Sequence, residues 1–179
     1  MVDIPFVEFP KIARFNREVI VTEKIDGTNA QILVSDDGNE IVAVGSRTRW
    51  ISPKDDNHGF AGWVQKNKEE LLKLGPGSHF GEWWGAGIQR TYGLKEKRFS
   101  LFNVSRWEAD RPACCHVVPI LWRGTMEDLK VNDILAKLKA EGSVAAPGFM
   151  NPEGVVIFHV HSGTLFKKTL DKNDAAKGT

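Results

Sequence analysis

Hydrophobic and polar positions along the chain fall into short blocks, and the period of each block predicts its element. Val19 to Val21 runs into Glu23-Lys24-Ile25-Asp26-Gly27, and Ala30 to Val34 follows, so two β-rich runs flank a tight turn marked by Asp-Gly. Ser35 to Asn39 has the composition of a hairpin turn, and Glu40 to Val44 returns as a strand, which predicts an antiparallel meander. From Phe60 to Leu74 the apolar residues Phe60, Trp63, Val64, Leu71 and Leu74 approximate helical spacing until Gly75-Pro76-Gly77 stops the pattern. His79 to Trp84, Phe99 to Val104 and Cys114 to Leu121 are apolar or aromatic runs of strand type. Thr125 with Asp128 has the form of an N-cap with an acidic N3 residue, and Leu129, Ile134, Leu135 and Leu138 carry a second helix to Gly142. Val155 to Val160 and Thr164 to Leu170 flank Ser162-Gly163 as a closing hairpin, and the polar tail from Asp171 is expected to fray.

Strands dominate and no βαβ rhythm occurs, so the expected class is α+β with mostly antiparallel sheets. No repeat, low-complexity segment or linker interrupts the chain, which reads as a single domain over residues 1–179.

Composition narrows the setting without naming a function. With 24 Lys plus Arg against 23 Asp plus Glu, no global charge advertises a polyanionic partner, although a local basic groove remains compatible with that balance. The two cysteines, Cys114 and Cys115, are adjacent, where a disulfide is strained, so a reducing, cytoplasmic compartment is expected. Met1 to Pro10 carries Asp3 and Glu8 and lacks the basic start and apolar core of a signal peptide. The longest apolar runs, such as Gly154 to Phe158, are of strand length, so no membrane span is expected.

The chemistry concentrates in Glu23-Lys24-Ile25-Asp26-Gly27, which puts a lysine at a strand end two residues before an acid and a glycine. A lysine amine becomes a nucleophile once deprotonated, which desolvation or neighbouring positive charge promotes, so Lys24 is the candidate nucleophile. Alternation in an extended segment places Lys24 and Asp26 on one face and Glu23 on the other.

The KxDG pattern is accompanied, in order, by Ser46-Arg47-Thr48, Phe80-Gly81-Glu82-Trp83, Phe99 to Val104, Pro152-Glu153-Gly154-Val155-Val156 and Leu165-Phe166-Lys167-Lys168. In this order the segments resemble motifs I, Ia, III, IIIa, IV and V of the covalent nucleotidyltransferases, the ATP-dependent ligases and capping guanylyltransferases. Glu23 followed by Lys24-Ile25-Asp26-Gly27-Thr28-Asn29, with the Phe9-Pro10-Lys11-Ile12 opening, resembles the ATP-dependent RNA ligases of the double-strand nick-sealing type in particular. The resemblance implies a ligase adenylation fold, ATP-grasp-like; such ligases usually append a C-terminal accessory domain, and with only 11 residues, 169–179, after Lys168 the expectation here is the catalytic domain alone, with no accessory domain. A partner protein replacing that domain and a monomeric state are further expectations.

What the resemblance implies for the site is specific. Lys24 attacks the α-phosphate of ATP and becomes lysyl-AMP; the AMP then passes to an RNA 5′-phosphate, which a 3′-OH seals. Lys167 and Lys168 supply cationic contacts to the phosphate; because strand alternation sends them to opposite faces, Lys167 is favoured. Glu153 binds divalent metal, magnesium or manganese, as hard cations prefer oxygen ligands. Glu82 holds ribose hydroxyls, Arg47 contacts ribose or a phosphate-bearing end, and Phe102 stacks on adenine. Glu23 and Ile25 are further nucleotide contacts, and Thr28, Asn29 and Arg49 serve the RNA terminus. Trp50, Lys54, Arg90, Lys95, Lys97 and Arg98 extend the candidate RNA surface. His159 with His161, and Cys114-Cys115-His116, have poor zinc spacing and read as core and hairpin residues. A DNA ligase, a GTP-using capping enzyme and a non-catalytic nucleotide- or RNA-binding module are the alternatives.

Overall fold

The computed structural model describes residues 5–171, and the fraying expected of the tail concerns, beyond Asp171, residues outside that range. Among the described residues, ten strands form two sheets. The first has the order β10-β9-β1-β8, from β1 (Glu18–Lys24), β8 (Ile120–Thr125), β9 (Gly154–His159) and β10 (Thr164–Thr169). The second has the order β4-β3-β2-β5-β6-β7, from β2 (Thr28–Val34), β3 (Ile41–Gly45), β4 (Trp50–Ile51), β5 (Gly77–Gly85), β6 (Lys97–Leu101) and β7 (His116–Val117). All pairings between these strands are antiparallel except β6 with β7, which is parallel. The α+β class with mostly antiparallel sheets is therefore observed.

The strand, turn, strand order expected around Asp26-Gly27 is observed, with β1 and β2 in different sheets, so the Asp-Gly turn is a crossover. Four other local expectations are corrected. The first helix is broken into α1 (Phe60–Lys66), α2 (Lys68–Leu71) and a 3₁₀ turn at Leu72–Leu74. Asn67 stands at the break with φ −111°, and its side-chain amide donates to the Trp63 carbonyl at 2.8 Å, a local bond that competes with helix continuation. The strand expected to reach Val104 ends at Leu101, because Asn103 caps α3 (Val104–Trp107) by accepting from the Arg106 N–H at 3.2 Å. The run from Cys114 to Leu121 is divided between β7 and β8, with Pro119, which has no N–H for a ladder, between them.

Thr125 and Asp128 do bond, hydroxyl to carboxylate at 2.6 Å, but within a turn; α4 (Val131–Glu141) begins further on and stops at Gly142. Three apolar clusters hold the layers. α1 and Trp107 cover one face of the six-stranded sheet over Ile32, Trp83, Phe99 and Leu101. Leu135 and Leu138 of α4 pack on Val19, Val21, Val155 and Ile157 of the other sheet. Ile20, Ile25, Trp84 and Tyr92 join the two sheets. No helix among the described residues is long and apolar enough to cross a membrane.

Candidate active site

The passage from one sheet to the other takes only Ile25, Asp26 and Gly27, and the candidate nucleophile is the last residue before it. Gly27 lies so close to β5 that a Cβ there would stand 2.5 Å from the Trp83 carbonyl oxygen and 2.7 Å from the Trp84 Cβ. Only glycine fits that approach. The same closeness lets the Gly27 N–H donate to Glu82 Oε1 at 3.0 Å, which fixes the β5 carboxylate beside the KxDG turn.

β9 brings the second acid. Lys24 pairs with Gly154 across the sheet, and Gly154 in turn with Thr169 of β10. Glu153, one residue earlier, receives the Lys24 ammonium at 2.7 Å, with both side chains mostly withdrawn from solvent. Gly154 has φ +155°, and a Cβ on it would meet the Lys168 carbonyl at 2.2 Å, so glycine is what lets β10 close against the strand beginning at the acid.

Register assigns the motif V lysines to different faces. Lys167 stands opposite Val156, which stands opposite Thr22, on the face that carries Lys24; Lys168 stands opposite Val155 and Glu23 on the α4 face. There the Lys168 ammonium donates to Asn132 of α4 at 3.0 Å. Glu23 is buried on that same face, where its carboxylate accepts from the Ser143 hydroxyl at 2.6 Å and from the Val144 and Ala145 N–H groups at 2.8 and 2.9 Å. Burial pushes its pKa above the usual carboxylate value, against the pull of those three bonds. Ile25 is buried in the cluster between the sheets.

Glu82 is a second acid shifted upward: burial raises its pKa to about 7, with Lys24 pulling down and Glu153 and Asp26 pushing up. Asp26 does not share the Lys24 ion pair. Its carboxylate accepts from Arg90 Nε at 2.9 Å, and its N–H donates to the Tyr92 hydroxyl at 2.7 Å. Arg90 also donates to the Asn151 carbonyl at 3.2 Å and pairs with Asp171, so one guanidinium ties the β5–β6 loop to both segments flanking the site. Tyr92 is buried edge-on to Trp84, 4.9 Å between ring centres, and burial raises its hydroxyl pKa. The sequence marks Arg90 only as surface and gives no signal for Tyr92; both lie in a loop, whose partners no periodicity reveals.

The remaining candidates spread outward. Phe102 stands just past β6, half-exposed, its N–H bonded to the Phe80 carbonyl on the face that carries Glu82. Asn29 is exposed opposite Glu82, whereas Thr28 pairs with Trp83 on the other face and accepts from the Asn57 amide at 3.0 Å. Arg47 is exposed between β3 and β4 and makes no ion pair among the described residues, while Arg49 pairs with Asp55. Of the further basic residues, Arg98 pairs with Glu96 and Lys97 donates to the His58 carbonyl. Both ring nitrogens of His159 are engaged, with the Phe15 carbonyl at 2.9 Å and with Ser162.

Two sheets joined at a lysine, with carboxylates from β5 and the start of β9 beside it, are the architecture of a nucleotidyltransferase fold, and comparison with solved structures agrees. A Naegleria gruberi RNA ligase mutant with ATP and Mn matches at TM-score 0.64 and 23% identity over 87% of this chain and 50% of that one. The same organism's RNA ligase R4a, in an apo mutant form, matches at TM-score 0.63 and 24% identity over 85% and 49%. Its RNA ligase with pyrophosphate matches at 0.60 and 24%, over 85% and 49%. The chain thus spans about half the length of these solved relatives. No curated protein matches. The RNA ligase family matches residues 17–169, and the chain belongs to that family.

Proposed function

We propose that the protein is an ATP-dependent RNA ligase whose Lys24 becomes adenylylated, transferring AMP to an RNA 5′-phosphate for sealing to a 3′-OH. The observation that carries this reading is the meeting of Lys24 at the end of β1, Glu82 of β5 and Glu153 just before β9 at one point. Lys24 Nζ attacks the α-phosphorus of ATP; a P–N bond forms, the bond to the bridging oxygen breaks, and pyrophosphate leaves. The ammonium must first lose a proton, and the Glu153 carboxylate, 2.7 Å away, is placed to accept it. Lys167, on the Lys24 face, adds positive charge toward the phosphates, and Glu82 accepts from ribose hydroxyls.

The donor chemistry fits a hard divalent cation. No cluster of three or more His, Cys, Asp or Glu forms a protein cage among the described residues. Magnesium characteristically binds through one or two carboxylates together with phosphate oxygens and water. Glu153 is the carboxylate that would hold it, and when bound it supplies neutralisation of phosphate charge.

The test is intact mass after incubation with ATP and magnesium, alongside GTP and a Lys24→Ala protein. The expected outcome is one AMP adduct, specific for ATP and lost in the variant. A GMP adduct moves the protein to capping chemistry, and no adduct on AMP-free protein leaves a binding module.

A further inference from the structure

The ladder register of the six-stranded sheet aligns residues that are far apart in sequence. Trp50 of β4 stands opposite Gly45 of β3, Gly45 opposite Gln31 of β2, and Gln31 opposite Phe80 of β5. Phe102 follows by its backbone bond to Phe80. Directly opposite residues share a face, so these five form one row across the sheet, on the side away from α1. Its aromatics are exposed, Trp50 by 56%, Phe80 by 53% and Phe102 by 40%.

The middle of the row is built flat. The Trp50 ring lies over Gly45, where a Cβ would stand 3.1 Å from it, and the Gln31 amide oxygen lies 3.5 Å from that same position. From Trp50 to Phe80 is three strand spacings, about 14 Å. The neighbouring row, two residues along each strand and so about 7 Å away, is Asn29, Glu82 and Ser100, and Glu82 borders Lys24. The aromatic row is therefore continuous with the proposed active site.

We propose that Trp50, Gln31 and Phe80 of this row form a stacking platform for unpaired bases of the RNA substrate next to the end being joined; the proposal rests on the ligase reading, leaves Phe102 to the adenine, and replaces the duplex-nick preference expected from the resemblance with one for single-stranded ends. An exposed apolar row is costly to leave bare, and aromatic rings interrupted by an amide suit nucleobases, which stack on ring faces and offer hydrogen-bonding edges. Charge selects the same occupant. Arg47, in the turn leading to Trp50, is exposed without an acidic partner among the described residues. A closed RNA duplex hides its base faces and is held by phosphates and shape instead, so it gains nothing from the row.

The test is fluorescence anisotropy with a fluorescein-labelled single-stranded oligoribonucleotide and a blunt RNA hairpin of equal length, on the wild type, Trp50→Ala, Phe80→Ala and Trp50→Phe. Each alanine variant is expected to bind the single strand about tenfold more weakly and the hairpin unchanged, with Trp50→Phe restoring most of the loss. AMP uptake by intact mass is expected to be unaffected in all of them. Unchanged single-strand binding in both alanine variants, or equal loss for the hairpin, overturns the platform. If AMP is never taken up while the single-strand loss is seen, the ligase reading fails and the platform stands.

Discussion

Each carboxylate around Lys24 has a different partner, and the partner decides what the residue does. Glu82 is buried with a single N–H bond, and its pKa of about 7 lies above the ordinary 4.5. An acid whose folded pKa is raised binds more protons folded than unfolded between those two values, so its contribution to stability falls as pH rises from about 4.5 to 7. Chemical denaturation in that window without nucleotide or metal should show the wild type losing up to about 3 kcal/mol relative to Glu82→Gln. AMP uptake should move oppositely, rising through about pH 7 as Glu82 ionises to meet ribose hydroxyls. Glu23 is a tether for the loop after α4, and Ser143→Ala, which strips one of its three donors, should cost about 1–3 kcal/mol in a urea melt without abolishing AMP uptake. Lys24, Glu82 and Glu153 are legible in the sequence as single residues because their motifs are local. The burial and partners of Glu23, and Tyr92 itself, are not, since they depend on segments about 70 to 120 residues away.

Among the elements, strands are legible in the sequence and their neighbours much less so. Alternation identifies a strand by its two faces, but the partner across the ladder is set by tertiary packing. Thus the apolar runs of β1 and β2 mark both as strands without revealing that they belong to separate sheets. Breaks escape the hydrophobic pattern where one polar side chain decides them, Asn67 ending α1 and Asn103 opening α3. Alternation alone separates Lys167 from Lys168, and the ladder register puts Lys167 on the face that carries Lys24. The crossover carries the sharpest structural prediction. Gly27→Ala must push β5 away from the turn, since its Cβ would stand 2.5 Å from a backbone oxygen, and should cost about 2–3 kcal/mol in thermal or chemical unfolding. Loss of the Glu82 bond should lower AMP uptake further than stability alone explains.

At the scale of the molecule, the long-range ties converge on the crossover. Arg90 reaches Asp26, Asn151 and Asp171, so it links the middle of the chain to both the KxDG turn and the end of β10. Arg90→Ala should cost about 2 kcal/mol, lowering the melting temperature by several degrees, and should slow AMP uptake more than a matched Arg98→Ala control. Composition alone says little at this scale, because a balance of 24 basic against 23 acidic residues averages away any local asymmetry.

The three-residue crossover has a mechanical consequence. The sheets are joined covalently at Ile25-Asp26-Gly27 and again at Val118-Pro119 between β7 and β8, where the Pro119 carbonyl accepts from the Glu23 N–H at 2.9 Å, so if they rotate against each other they pivot at these two neighbouring joints, as the blades of shears turn on their pin. Displacement grows with distance from a pivot. Lys24, immediately beside it, stays in place, while Trp50 on β4, the edge strand beyond β2 and β3, sweeps through the longer arc. Any such rotation therefore leaves the Lys24 amine nearly stationary while the outer strands of the six-stranded sheet move.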